Sequence, residues 1–580
     1  MPNHYYRCRP FLFFFLCIIS LPYSKAHAFA GEQHKANDDV SKRQELFYLC
    51  KVWGYLNYYQ PPIVAQGALS REDVLRNSIE KILSSSLTAT TRSSSINSMV
   101  MSLLKDFGVP PATASVKQNF WDRPGMIRHT DFRWLQDSVF DNETQTKLEA
   151  VAAMSLPLQS FHYLEKGQPN ERIIAVKPDM LRTSITKTES LLSLFALWNA
   201  VNYLSPHKEL CAGNWDTLLV EYIPQFQAVA TNADYVRLVM KFCSRWNDSH
   251  AVISSPAMES VLGKYTIPLR FVILDSSVVV QETFCCDSLN LKGWIVEEIN
   301  GTPIDSLVQS YSALVSASNN AVRKREIARK LRYSKQSESL AVLSNGKEKQ
   351  RLTIDCSQPS TSATQQGNQQ TTYYQFIENQ DKDTLVYVDL SRAQKNDVPT
   401  MFRILAGKAG VIFDLRKYPN FIMYDVMQQL VHPTSFGSIS AFMLQFPGYH
   451  SVPAPLSCGK KQEYFGNVVV LVNEWTQSRG EFTAQAMRTI PNMKIVGSQT
   501  AGADGDIIKI VLPMNVTVHF TVAAVFDRTM KSMQGVGILP DVEVHPTIAG
   551  IRAGRDEVLE KGIEVLQQLI KQEAKPFKDK

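Results

Sequence analysis

Ser478 stands where a nucleophile could stand. The segment Gly466 to Ile490, GNVVVLVNEWTQSRGEFTAQAMRTI, runs from the β-branched stretch Val468 to Val472, through a polar turn, into Phe482, Ala486 and Ile490 at helical spacing. A strand that is apolar on both faces belongs inside a covered parallel sheet. Ser478 would then lie at the carboxyl end of that strand and the positive end of a helix, the edge of an α/β sheet where ligands bind. Ser478-Arg479-Gly480-Glu481 is equally a capping box, with the serine oxygen on a backbone amide and Glu481 folding back. A serine at its ordinary pKa needs a base within hydrogen-bond reach and donors for an oxyanion. Among eleven histidines, His250 has the most suitable setting, in the small polar turn Asn247-Asp248-Ser249-His250-Ala251 after a helix expected over Asp234 to Trp246. A structural histidine fits that turn as well. Distance along the chain is no obstacle, because triads occur in several chain orders.

The elements that must hold these residues are those of a globular protein. With 580 residues, 44% hydrophobic and 20% charged, the chain is long enough for three or four domains, and its net charge of +6 is scattered. A nucleic-acid partner is not expected. Arg7 and Arg9, the apolar run Phe11 to Leu21 and Ala26-His27-Ala28 make a leader over residues 1–28, so a periplasmic or secreted location is expected. No later run is long enough to span a membrane. Removing Cys8 and Cys17 leaves Cys50, Cys211, Cys243, Cys285, Cys286, Cys356 and Cys458, an odd set without metal-ligand spacing. No cofactor or metal is expected.

A repeat stands near the front: Leu49 to Tyr58 matches Leu194 to Tyr203, with Trp, Asn and Tyr in register and a proline (Pro61, Pro206) following. Each copy reads as a helix followed by a second one, Glu72 to Leu83 or Trp215 to Phe226, and the aromatic stripe reads as core. Residues 110–180 have no clear period. Strands are expected at Ile267 to Leu274, Ser277 to Gln281, Gly293 to Ile304 with an Asn-Gly turn, and Arg351 to Ile354. Ser357 to Thr372 has almost no apolar residues and reads as a linker. Beyond it, strands Thr384 to Leu390, Gly410 to Leu415, Val468 to Val472 and Lys494 to Gly497 alternate with helices Val398 to Leu405, Ile422 to Leu430 and Glu481 to Ile490, the α/β pattern. A charged helix, Arg555 to Lys571, ends it.

These segments, in order, resemble the C-terminal-processing and tricorn-type serine peptidases. The matches are Asp248-Ser249-His250-Ala251, the PDZ-like Gly293 to Ile304, Asp414-Leu415-Arg416, Ser478-x-x-Glu481, Gly497-Ser498-Gln499-Thr500-Ala501-Gly502 and Gly535-Val536-Gly537-Ile538-Leu539-Pro540-Asp541. The resemblance covers about Leu191 to the C-terminus. Together with the residue patterns it gives a multidomain α/β plus α chain: a helical or mixed N-terminal region (38–190) and a linker (357–373) read from the patterns, and, by the resemblance, a helical segment carrying His250 (191–262), a PDZ-like β-rich domain (263–356) and an α/β core of ClpP/crotonase type (374–580). In one branch of the family a lysine after the nucleophile's helix is the base; here that position is Ala503, with Lys494 and Lys509 outside the motif. The resemblance therefore implies the Ser-His branch, with Ser478 as nucleophile, His250 as general base, and Ser249 and Glu481 in support. The amide of Arg479 is the expected oxyanion donor, with Asn420 a second. Two positions depart from the pattern. Gln534 stands where the tricorn-like site has a glutamate, so catalysis is slow or another acid substitutes. Lys417-Tyr418-Pro419-Asn420-Phe421 replaces a glycine pair, and Pro419 has no amide to donate.

The expected function is an exported serine endopeptidase that cleaves peptides or unfolded proteins through an acyl-enzyme. A catalytically degenerate peptide-binding protein of the same fold is the alternative. The absence of a Gly-x-Ser-x-Gly elbow argues against an α/β-hydrolase esterase.

Overall fold

A computed structural model describes residues 23–60, 70–85, 92–109, 126–153, 165–166, 172–175, 183–284, 290–357, 372–378, 384–430, 439–442, 444–451, 454–455, 464, 466–491, 493–527 and 529–573. The expected leader lies outside them except for Tyr23 to Ala28, as do Cys285, Cys286, Cys458, Pro61 and residues 358–371 of the expected linker.

The repeat folds into two helical hairpins packed on each other. Helices α1 (Tyr23–Tyr59) and α2 (Arg71–Ser84) form one, and α3 (Lys187–Leu204) and α4 (Trp215–Gln227) the other. The shared tryptophan has one physical job in both. Trp53 Nε1 donates to the carbonyl of Arg71, and Trp198 Nε1 to that of Trp215, each at 2.9 Å, so each indole fastens the first residue of the helix that follows. Both rings are buried, as a core stripe requires. Ion pairs Lys51–Asp216 and Arg76–Glu189, both 2.7 Å, join one copy to the other. Where α1 meets α3, Gly54 faces the fully buried Asn199, whose amide donates to the carbonyls of Cys50 and Phe195 at 2.9 Å. A Cβ on Gly54 would lie 1.8 Å from Asn199 Oδ1.

Helix α5 (Asn232–Ser244), capped by Thr231, delivers the chain to Asn247, which turns it at φ 53° into the Asp248 to His250 turn. The following antiparallel sheet has the order β5-β4-β3-β2-β1, with β1 (Leu269–Leu274), β2 (Ser277–Thr283), β3 (Ile295–Ile299), β4 (Glu338–Ser344) and β5 (Lys349–Asp355). Asn300 and Gly301, at φ 51° and 74°, make the tight turn after β3 that their types predict. Helix α6 (Asn320–Lys330) packs on β1.

The core sheet runs β6 (Tyr374–Glu378), β7 (Thr384–Asp389), β8 (Gly410–Asp414), β9 (Asn467–Val472), β10 (Lys494–Gly497) and, at the far edge, a short strand Val542–Glu543; all neighbours are parallel except β6 and β7. Alternation along β9 explains why it reads as continuously apolar. Val468, Val470 and Val472 pack toward α7 (Arg479–Met487) and the helices Val398–Leu405 and Met423–Leu430, while Val469 and Leu471 pack against α8 (Glu557–Glu573). Arg416 locks the end of β8 to the approach of α8, with Nη2 at 2.7 Å from Asp414 and Nη1 at 2.7 Å from Asp556.

The hairpin β11 (Ile507–Leu512) and β12 (Val516–Thr521) is a feature the sequence reading did not assign. Its turn uses Met514 and Asn515 at φ 61° and 54°, so the glycine that usually marks such a turn is missing. β12 pairs with Ile253–Ser254, directly after the His250 turn, and β11 pairs with Arg172–Ala175. Among the described cysteines, Cys50, Cys211, Cys243 and Cys356 are free and buried. No helix among the described residues is long and apolar enough to cross a membrane.

Gly54→Ala should destabilise the helical region by about 1–3 kcal/mol through overpacking against Asn199, and Gly54→Ala combined with Asn199→Ala should recover part of it; urea denaturation followed by tryptophan fluorescence reads both.

Candidate active site

The nucleophile candidate is built by a strained turn. β9 ends at Val472, the turn is closed by Thr476, whose hydroxyl donates to the Leu415 carbonyl at 2.9 Å, and Ser478 follows at φ 53°, ψ −118°. Such a conformation costs a non-glycine residue on the order of 1–3 kcal/mol and persists only where its surroundings hold it. A nucleophile elbow uses a strained turn of the same kind, although the glycines of that motif are absent here. The Ser478 N–H is held between the Ala503 carbonyl at 2.9 Å and Glu481 Oε2 at 3.3 Å, and Phe482 N–H donates to the Ser478 carbonyl at 2.9 Å. The return arm of the expected capping box is thus formed.

Glu481 does more than cap. It is fully buried, and its Oε1 accepts the Thr500 hydroxyl at 2.5 Å and the Gly502 N–H at 2.7 Å, while Oε2 accepts the Ala503 N–H at 3.0 Å. Burial pushes its pKa up, and these donors pull against that shift. Gly537, at φ 65°, lies over the same carboxylate: a Cβ there would sit 2.5 Å from Thr500 Oγ1 and 2.7 Å from Glu481 Oε1. The motifs at 497–502 and 535–541 are therefore two walls around one buried charge. The neighbouring buried Asp504 has its pKa pushed well up by burial and then by Glu481.

His250 is buried beside this turn. Its Nδ1 lies 2.9 Å from Thr521 Oγ1 and 3.8 Å from Asp248 Oδ1, and its backbone N–H donates to Asp248 Oδ1 at 2.9 Å. The Asp248 carboxylate also accepts the Thr521 N–H at 2.9 Å, the Thr521 hydroxyl at 3.0 Å and Gln534 Nε2 at 3.3 Å. His250 Nε2 has no hydrogen-bond partner among the described residues. Burial lowers the His250 pKa below the ordinary histidine value, opposed by the charge of Asp248 and aided by His519 and Arg325. No direct hydrogen bond joins the Ser478 and His250 side chains among the described residues. Their turns are joined through Gln477, whose Nε2 donates to the Ser249 carbonyl at 3.3 Å, and through Ser249 Oγ, which donates to the Ala501 carbonyl at 3.3 Å.

The supporting residues divide into three outcomes. Ser249 ties the turn to the middle domain, exchanging backbone and hydroxyl bonds with Ser318 at 2.9 Å, and its hydroxyl bonds neither to His250 nor to Ser478. Gln534 sits at the site but faces Asp248 and Ser318. Asn420 is corrected: its amide donates to the carbonyls of Ser391 at 3.0 Å and Ala393 at 2.9 Å and its N–H to Leu390 at 3.2 Å, so its donors hold a loop and none is left for an oxyanion. The Arg479 N–H, first of α7, makes no hydrogen bond among the described residues, and the positive end of the helix lies behind it. The Arg479 guanidinium stacks between Tyr418 and Phe421, 5.2 and 5.0 Å from the ring centres, while Arg325 lies 5.1 Å from that of Trp475. Those three rings are exposed. The roles of Asp248 and Thr521 went unread in the sequence. Asp248 was within a quoted motif; Thr521 ends an unassigned strand and carried no signal. Among the described residues no group of three or more His, Cys, Asp or Glu could hold a metal ion.

Over residues 384–544 the sequence matches peptidase family S41. The core is an S41 peptidase domain. That match supports a serine-type peptidase, a hydrolase that acts on peptides or proteins. No curated protein matches the chain. Among solved structures, mature CPAF complexed with lactacystin and mature CPAF alone each share the fold with a TM-score of 0.55 at 12% identity, covering 67% of this chain and 99% of that one. The photosystem II D1 C-terminal processing protease is matched at TM-score 0.39 and 18% identity, over 64% of this chain and 98% of that one. The S41 match includes Ser478, Glu481, Thr521 and Gln534 and leaves His250 outside it.

Glu481→Gln in the S41 domain should place an N–H₂ group against backbone N–H donors, lowering kcat at least about tenfold and stability by about 1–3 kcal/mol; peptidase assays and thermal denaturation of the same variant measure both.

Proposed function

We propose that the protein is an exported serine endopeptidase of the tricorn-like Ser-His type. The observation that carries this reading is the strained Ser478 in the turn between β9 and α7, held by its own N–H beside a turn that carries a buried histidine whose pKa burial lowers. As Ser478 Oγ attacks the scissile carbonyl carbon, His250 Nε2 takes its proton. The oxyanion that forms is met by the Arg479 N–H and the helix end. His250 then gives the proton to the leaving amine, and the acyl-enzyme is released by water activated the same way. The direct serine–histidine hydrogen bond is expected to form only with substrate in place, as is common for catalytic contacts. The β1–β5 domain, read as PDZ-like, would receive the peptide at a sheet edge, and the leader expected over residues 1–28 would carry the chain to the periplasm or outside the cell. The reading of a degenerate peptide-binding protein draws support from one observation, the engagement of Asn420, which leaves one identified oxyanion donor.

Wild-type protein should be labelled by a fluorophosphonate probe and should cleave a peptide library, and Ser478→Ala and His250→Ala should lose both while keeping the same circular dichroism. Because the folded-state pKa of His250 is lowered, its base form persists below the ordinary value of about 6.5, so the acid limb of kcat/KM should lie below that pH. An unlabelled, inactive wild type would sink the enzyme reading in favour of the binding protein.

A further inference from the structure

The mechanism leaves one question at His250. A general base that becomes an imidazolium needs its other ring nitrogen held as a donor, and the usual group for that is a carboxylate in direct contact. Asp248 Oδ1 is 3.8 Å from His250 Nδ1, beyond a hydrogen bond, and Gln534 carries no charge and turns its amide to Asp248. Between ring and carboxylate stands the Thr521 hydroxyl, 2.9 Å from Nδ1 and 3.0 Å from Asp248 Oδ1.

A hydroxyl has one proton and can accept others. Both oxygens of Asp248 already receive backbone N–H groups, from His250 on Oδ1 and from Thr521 on Oδ2, so the carboxylate is the acceptor of the contact with the hydroxyl. The Thr521 proton therefore points at Asp248 Oδ1. Its lone pairs are left to face the ring, which makes Nδ1 the protonated nitrogen and leaves Nε2 bare. Thr521 is fully buried, so water does not compete for either contact. β12 enforces the arrangement from the other side: it pairs with Ile253–Ser254, and the His519 N–H donates to the Val252 carbonyl at 3.1 Å, fixing the strand against the very turn that carries the histidine.

We infer that Thr521 and Asp248 form a hydroxyl-bridged relay that orients His250 as the Nδ1–H tautomer and stabilises its charged form, the service for which a carboxylate would otherwise be needed at position 534. This rests on His250 acting as the base. During acylation the Ser478 proton moves to Nε2. Nδ1–H keeps donating to Thr521 Oγ1, and the Thr521 proton keeps donating to Asp248, so one proton is transferred and no other bond to hydrogen is broken. Thr521 and Asp248 are positioning residues, since neither touches the substrate. Gln534 holds the Asp248 carboxylate in place by its amide donor. The charged and titratable groups acting on His250 are Asp248 from its own turn, His519 from β12 and Arg325 from α6, with His207 interacting with both Asp248 and His250.

Two measurements on the full chain test this. In [¹⁵N]histidine-labelled protein, the His250 signals, identified by their loss in His250→Gln, should show the Nδ1–H tautomer at neutral pH in the wild type and in Thr521→Ser, and a shift toward Nε2–H in the isosteric Thr521→Val. In peptidase assays, Thr521→Val should lower kcat about 100-fold with little change in KM and move the acid limb to lower pH, and Thr521→Ser should restore most of both. Gln534→Glu should lower kcat/KM, because it sets a second carboxylate against Asp248. An Nε2–H tautomer in the wild type would overturn the relay whether or not the protein is active. So would a Thr521→Val enzyme with unchanged kcat and pH limb, or a Gln534→Glu enzyme several-fold faster than wild type. Loss of the Ser478-dependent labelling is a separate result, and it counts against the peptidase reading rather than against the tautomer.

Discussion

The site depends on a carboxylate buried among neutral donors. Removing a charge from water costs several kcal/mol, and among the described residues no lysine or arginine pairs with Glu481 to offset it. What stabilises it instead is a ring of donors: the Thr500 hydroxyl and the N–H groups of Gly502, Ala503 and Ser478. Charge-assisted bonds of this kind are short and directional, so each donor's position is set by the same two oxygens. The Ser478 turn and the loop after β10 are consequently tied into one hydrogen-bond network. The strain at Ser478 is held by this network rather than by the serine's own neighbours in sequence.

The scaffold below is arranged so that this network cannot drift. β9 is covered on both faces, by α7 and its companions on one and by α8 on the other, and every residue from Asn467 to Val472 is buried. β8 beside it is pinned by Arg416 between Asp414 and Asp556. Ser478 thus follows closely on a fully buried strand and is itself tied down by the Glu481 network, which suits a group that must be held to a fraction of an ångström.

Much of this was legible in the order of residue types. The apolar run at Val468 to Val472, the spacing of the following helix and the Ser478-x-x-Glu481 pair carry their own periodicity and chemistry, and the alternation of strands and helices after Tyr374 follows from the same patterns. The tryptophan repeat was legible as core because both copies must satisfy an indole N–H. The oxyanion role considered for Asn420 was not readable, since an asparagine in a polar loop looks the same whether its amide is free or tied to Ser391 and Ala393. The partners of His250 were hidden for a different reason. Thr521 lies in a hairpin whose turn uses Met514 in place of glycine, and its meeting with the histidine is decided by strand pairing between distant segments, which no local window records.

That pairing has a consequence for how the protein comes into being. His250 and Thr521 are 271 positions apart, and the strand that joins them is among the last parts of the core to be synthesised. Closing so long a loop is slow relative to forming the local helices, because its entropy must be lost before any contact is gained. The helical hairpins near the front can therefore fold well ahead of the His250–Thr521–Asp248 cluster, which exists only once β12 has docked. A partly made or partly unfolded chain carries the Ser478 and His250 turns with nothing to bring them together, so topology itself delays assembly of the candidate site until β12 is in place.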